Sequence, residues 1–252
     1  MAGTGSGAGV RGTRRRTAAG RAGGRPGLTP ERIVDGCIAL LDEQGADALT
    51  FRRIGAFLGV DPTALYRHFR DKDELVLAVA DRLLARSMEN FEPSDDWRGT
   101  LRDMLVRSRE VYLGHPEAAV LSVARTTRRP AEMAAVEIIL GALADAGFPP
   151  EEAVRYYRVL VDFVLSWSGL EAAYLTLDQE ARSGDDGAWS REYAGAPADR
   201  YPRIAAASAY LPTVGPQENF ELALDLLLDA VEVRAKRSGA VGGQAKQPGQ
   251  AK

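Results

Sequence analysis

Gly59 separates two short apolar-periodic segments, and that arrangement constrains the chain more than any other feature. Thr50 offers a capping hydroxyl to a helix carrying Ile54, Phe57 and Leu58, and Gly59 is free to take the left-handed conformation that a sharp turn requires. Asp61-Pro62 then opens a second helix, expected over 61 to 69, with Leu65, Tyr66 and Phe69. Upstream, Thr29-Pro30-Glu31 starts a helix that carries Ile33, Cys37, Leu40 and Leu41 and stops at Gly45. Downstream, Asp71-Lys72-Asp73-Glu74 is a D-x-x-E capping box for a helix over 71 to 86, with Leu75, Val79 and Leu83 on one side. Two short helices about a tight turn form a helix-turn-helix, whose second helix enters a DNA major groove while the first crosses the backbone.

The rotation of that second helix follows from its apolar residues. With Leu65 and Phe69 inward, Thr63, Tyr66, Arg67 and His68 face outward, and Lys72 begins the next helix. Arginine grips guanine bidentately, threonine and tyrosine bond phosphates or touch thymine methyls, and lysine is a point charge on phosphate. A small amphipathic bundle whose Arg, Tyr and His merely face water has the same spacing. The wording separates the two: Leu58-Gly59-Val60, then Leu65-Tyr66-Arg67-His68-Phe69, then Lys72-Asp73-Glu74-Leu75. This string strongly resembles the N-terminal domain of TetR-family transcriptional regulators, over residues 30 to 85. The resemblance implies DNA contacts from Arg52, Thr63, Tyr66, Arg67, His68 and Lys72, with Tyr66, His68 and Lys72 on phosphates and Thr63 and Arg67 on base edges. Pro62 and Ala64 are available for apolar contact, and Thr50 and Arg25 complete the candidate DNA-binding set. Gly55 departs from the family, which more often has alanine there; glycine inside a helix costs about 1 kcal/mol but permits close crossing.

Charge is distributed unevenly. Residues 1 to 86 hold 14 lysines and arginines against 10 acidic residues, a balance of +4, and residues 87 to 252 hold 18 against 25, a balance of −7, for a net −3. A mildly basic front before an acidic remainder fits a nucleic-acid reader joined to a different second domain. Residues 1 to 28 are Gly, Ala, Thr and Arg, expected as a disordered tail whose Arg11, Arg14, Arg15, Arg16, Arg21 and Arg25 either settle on DNA or only aid solubility. Gly7, Gly9 and Gly12 spell G-x-G-x-x-G, but no strand precedes them, which discards a dinucleotide site. The 252 residues are 45% apolar and 27% charged, with no run near the ~18 apolar residues of a membrane span and no secretion signal, so a cytoplasmic protein without a membrane partner is expected. One cysteine and two histidines leave neither a disulfide framework nor a closed zinc site.

After Pro93 the chain reads as helical throughout, near 97 to 113, 116 to 125, 130 to 146, 150 to 178 and 219 to 237, so the expected class is all-α. The stretch 179 to 218 reads as a long excursion with one short helix around 202 to 210, and 238 to 252 as another disordered tail. Residues 97 to 235, with Tyr112-Leu113-Gly114-His115-Pro116, the helix start at 147 to 153 and Phe220 to Asp229, resemble the C-terminal domain of the tetracycline-repressor branch. That implies a helical ligand-binding and dimerisation domain over 87 to 237, after a DNA-binding domain over 29 to 86. Independently, helix 150 to 178 is apolar on opposite sides, with Leu160, Val164 and Trp167 on one and Val159, Phe163 and Leu170 on the other. Phe220, Leu224, Leu227, Leu228 and Val231 form a stripe that Leu222 and Leu226 widen. Pairing both helices with their copies gives a two-fold four-helix bundle, whereas the alternative buries both in a monomeric core.

A small-molecule cavity is expected among Met104, His115, Arg125, Met133, Tyr157, Trp167, Ser168 and Glu171, with Tyr174 as a further wall. No Ser-His-Asp or Cys-His wording appears, Cys37 lies on an apolar face, and Asp95-Asp96 and Asp185-Asp186 read as solvated loops, so no catalysis and no cofactor is expected. The expected function is a homodimeric regulator, a repressor released from a palindromic double-stranded operator by a small-molecule effector. The alternative is a ligand-binding helical interaction protein that does not bind DNA.

Overall fold

The structure, a computed structural model, describes Gly3 and residues 27–244, with side chains through Ser238. Among them there is no strand, and no single helix is long and apolar enough to cross a membrane.

The N-terminal head is built from α1 (Pro30–Gln44), α2 (Phe51–Leu58), α3 (Pro62–Leu65) and the first turns of α4 (Lys72–Ser87). Each helix start is chemically marked. Thr29, Thr50 and Asp71 accept at their side chains from Arg32 N, Arg53 N and Glu74 N, satisfying otherwise orphaned amides. Gly59 closes α2 at φ 66°, ψ 38°, the left-handed region. A Cβ on Gly55 would lie 3.0 Å from the Val60 carbonyl and 3.1 Å from Pro62 Cγ, so α3 approaches α2 closely because residue 55 has no side chain. Ile33, Cys37, Leu41, Ile54, Leu65, Phe69, Leu75 and Val79 fill the core between these helices. Leu28 already packs against that core, although composition placed it in the tail. The third helix is shorter than the expected 61 to 69: regular α geometry stops at Leu65, and His68 N bonds Leu65 O three residues back.

The body comprises α5 (Trp97–Gly114), α6 (Pro116–Ser122), α7 (Pro130–Asp145), α8 (Pro150–Leu175), α9 (Gln179–Ala188), α10 (Pro202–Ala207) and α11 (Pro216–Gln244). Its core gathers Leu101, Met104, Leu105, Ile139, Leu143, Leu160, Val164, Phe220, Leu224 and Leu228. The two cores adjoin at α4, whose Leu75, Val79 and Leu83 belong to the first while Leu84 packs against the second. The region 179 to 218 is more ordered than expected. Asp178 accepts from Ala181 N at 2.8 Å and restarts a helix directly after α8 ends, so Gly184 and Gly187 fall inside α9. A single π-type turn, Trp189–Tyr193, extends it, with the two aromatic rings stacked 4.4 Å apart. Helix α11 starts earlier, at Pro216, and runs past 237 to Gln244.

Candidate nucleic-acid interface and ligand cavity

Thr50, Arg52, Thr63, Tyr66, Arg67 and Lys72 are exposed, while Pro62 and His68 are half-buried. The hidden side of α3 is held by Leu65 and Phe69. Tyr66 is 58% exposed yet stacked flat on Phe51, centroids 4.3 Å apart and planes 7° apart, which fixes its ring and leaves the hydroxyl in solvent. Among the described residues, Arg52, Arg67 and Lys72 make no salt bridge, and neither does Arg53, an exposed neighbour on α2. Three arginines of the body, Arg98, Arg102 and Arg107, are each paired to carboxylates. Unpaired cations on an exposed face attract a polyanion, because neither a partner nor desolvation has offset their field.

Two of the side chains already have local work. Thr50 accepts from Arg53 N as the α2 cap, which still leaves its hydroxyl hydrogen for a phosphate. Thr63 donates its hydroxyl to Asp61 at 2.6 Å, and the Thr63 amide bonds the same oxygen at 2.8 Å. These two bonds hold the exposed Asp61 carboxyl below its ordinary range. Thr63 therefore presents its methyl and lone pairs outward. Arg25 lies outside the described residues, as do the other tail arginines.

In the body, α4, α5, α7 and α8 enclose a cavity of about 80 Å³. Leu84, Met104, Leu105, Ile139 and Val161 wall it, and Ser108, Tyr112, Arg125, Glu132 and Tyr157 bring polar atoms to it. The Tyr112 hydroxyl is pushed up to about 12, by burial first and by the Glu132 charge second, so it stays a neutral donor. Of the expected pocket residues, Met104, Arg125 and Tyr157 meet here.

The others lie elsewhere, each for an identifiable reason. His115 joins the head to the body: Arg86 can only donate, so His115 Nε2 accepts from it at 2.8 Å, and Nδ1 donates to Asp42 at 2.8 Å. Glu171 binds Arg109 through two contacts of 2.6 and 2.8 Å, a buried pair that also touches Gln217 and sits over the Phe220 ring. Trp167 packs on Phe163 and Phe220 beneath α11. Met133 points to solvent, and Tyr174 bonds Asp186 of α9. Ser168 is fully buried with no hydrogen-bond partner for its hydroxyl, and it does not line the cavity. Tyr112, Ser108 and Glu132 were missed because one-dimensional periodicity does not show which helices converge.

Residues 33–79 match the family model described as bacterial regulatory proteins, tetR family, and residues 91–235 match the tetracyclin repressor-like C-terminal domain. The second match alone spans more than half of the chain. The chain belongs to the TetR family. It is 29% identical over 209 residues to the class A tetracycline repressor protein from transposon 1721 of Escherichia coli, covering 82% of this chain and 92% of that one. It is also 29% identical to the HTH-type transcriptional repressor DrrR1 of Streptomyces coeruleorubidus, over 86% of this chain and 82% of the other. The structure of the Streptomyces coelicolor TetR family protein ActR in complex with (S)-DNPA superposes with a TM-score of 0.69 at 26% identity, covering 83% of this chain and 99% of ActR. This TetR-family chain is therefore a DNA-binding transcriptional regulator with an all-helical fold. That membership removes the main support for a helical interaction protein without DNA binding.

Proposed function

We propose that the protein is a homodimeric repressor which a small-molecule ligand releases from a palindromic operator. The observation that carries this reading is the course of α4. It begins at exposed Lys72 beside the α3 face and lines the cavity with Ala80 and Leu84 about two and three turns later, so one helix touches both functions. Tyr66, His68 and Lys72 hold phosphates, with Thr50 and Arg52 at the α2 start, and Thr63 and Arg67 read base edges beside Pro62. Arg25 and the basic tail add sequence-independent affinity. Met104, Arg125 and Tyr157 contribute to the effector cavity with Ser108, Tyr112 and Glu132.

Dimerisation is supported by α8 and α11, which bury one side each and leave Val159, Leu170, Leu222, Leu226 and Val233 exposed. Two-fold pairing would place the two α3 segments about 34 Å apart, one helical turn of duplex. A ligand shifts this system only by its unequal affinity for DNA-competent and DNA-incompetent states. Small-molecule binding by ActR and the repressor names of the relatives support the same reading.

A gel shift on the DNA immediately upstream of the gene, repeated with candidate small molecules and paired with native mass, tests it. The expected result is a dimer that retards a palindromic fragment and loses it on ligand addition. Operator affinity unchanged at saturating ligand would refute release, and a monomer on DNA would refute the two-fold arrangement.

A further inference from the structure

Arg125 is the residue at which cavity and head meet. It follows α6 and lines the inner cavity with Leu165. The same two residues line an adjoining outer groove of about 250 Å³ that also holds Arg158 and Asp162, so Arg125 stands at the neck between the two spaces. Its guanidinium is bound 2.7 Å from Asp73, in the first turn of α4. Asp73 follows Lys72, the exposed cation at the DNA-facing end of that helix. Arg125 is therefore shared by the inner cavity, the outer groove and the head.

The chemistry of the neck favours an exchange of partners. The Arg125 and Asp73 side chains are 35% and 58% exposed, and an ion pair so wet is weak. A carboxylate arriving from the groove, with its apolar body against Leu84, Met104 and Ile139, would meet the same guanidinium in drier surroundings and accept two parallel N–H bonds. Glu132, the other charged group on the wall, is already bonded by the Thr127 hydroxyl at 2.7 Å and the Arg128 amide at 2.6 Å, and Asp162 is held by Arg158 at 3.0 Å. Neither competes for Arg125. The inner space of about 80 Å³ adjoins the groove of about 250 Å³, so a ligand whose apolar body enters the inner space leaves its polar end at the neck.

Resting on the reading of this cavity as the effector site, we propose that the effector is an apolar molecule carrying an acidic group, and that Arg125 is an exchange arm: the ligand takes Arg125 from Asp73, and the unpaired Asp73 carboxylate beside Lys72 then repels DNA phosphate. Binding and release are linked because one guanidinium cannot serve both anions fully. The exchange also explains how a ligand held by α5, α7 and α8 reaches the start of α4 without unpacking a core.

The first test needs no ligand. Operator affinity of the full chain is measured for Arg125→Gln, Asp73→Asn and the double variant, using the upstream DNA. Arg125→Gln should bind DNA about three- to fivefold more weakly at low salt, and adding Asp73→Asn should restore the loss. An equal loss in the single and double variants overturns the exchange. The second test compares 2-naphthoate with 2-naphthamide by calorimetry. The acid should bind at least about tenfold tighter than the amide to the native chain, with that preference gone in Arg125→Gln. If acid and amide bind alike and both are blocked by Val136→Phe, which fills the cavity, the effector site stands and the exchange fails. If Val136→Phe leaves acid binding unchanged, the effector-site reading fails with it.

Discussion

At Gly59 the backbone sits in the left-handed region with open space around the Cα, so a side chain there meets no neighbour and suffers only the conformational penalty. Gly59→Ala should destabilise the protein by about 1 to 2 kcal/mol, read as a lower midpoint in urea; an unchanged midpoint would mean that the turn tolerates a different backbone. Arg67 and Lys72 are both exposed and unpaired but differ chemically. Arg67→Ala should cost about 1 to 3 kcal/mol against the preferred operator and relax base preference, whereas Lys72→Ala should weaken all sequences alike and lower the salt slope by about one. Selection from a randomised operator pool, repeated across salt concentrations, separates them; if both substitutions leave binding intact, the assigned face is wrong. Cys37 is a third case. Burial in the head core pushes its thiol up to about 12, so it should resist alkylation at pH 8 in the native protein and react once the head opens. Rapid native labelling would show the head core to be loose.

At the scale of elements, α4 and α6 tie the head to the body. Asp35 of α1 is gripped by Arg82 at 2.8 Å and by Arg86 at 3.0 Å, Arg86 continues to His115, and Glu117 of α6 accepts from Ala46 N at 2.9 Å. Burial of Asp35 raises its pKa, but the Arg82 and Arg86 hydrogen bonds and charges outweigh that and leave it below the ordinary carboxylate value. A depressed folded pKa stabilises above the unfolded value and is lost as pH falls through the folded one, so this clamp should weaken only below about pH 4. Asp35→Asn should remove that acid-sensitive share, at a cost near 1 kcal/mol or less because the pair is over a third exposed. Equal acid sensitivity of variant and native unfolding curves would assign it to other carboxylates.

The same scale shows what could be read in one dimension. The helices of the head were legible because Thr29, Thr50, Gly59 and Asp71 mark their ends chemically, and α8 was legible as a helix, although Phe163, read on the side of Val159 and Leu170, packs with Trp167 on Phe220. The stretch after Asp178 was not: Gly184, Asp185, Asp186 and Gly187 carry turn propensity, which the Asp178 cap and the contact of Tyr174 with Asp186 override. The cavity was legible only in part. Met104, Arg125 and Tyr157 meet there, but Glu171 looked available until Arg109 supplied a buried partner from another helix. Long-range pairs of that kind leave no local signature.

For the whole molecule, the deciding quantity is the apolar surface left on α8 and α11. Leu170 is 74% exposed and Leu226 61%, on helices whose other faces are held together by Phe163 stacking on Phe220. Large apolar side chains left exposed on two packed helices are costly in water, and a second copy covering them would remove that cost. Two heads on such a dimer raise each other's local concentration at a palindrome, so affinity for the full site should far exceed that for a half-site. Leu170→Glu with Leu226→Glu places four like charges in the shared bundle without disturbing either buried core. The double variant should sediment as a monomer with unchanged helical circular dichroism, and it should lose about a hundredfold or more in affinity for the full palindrome while its weak half-site binding is kept. A variant that stayed dimeric would move the interface to another face. One that became monomeric with full palindrome affinity would show that each head reads its half-site alone, and a ligand acting through α4 could then release one head without the other.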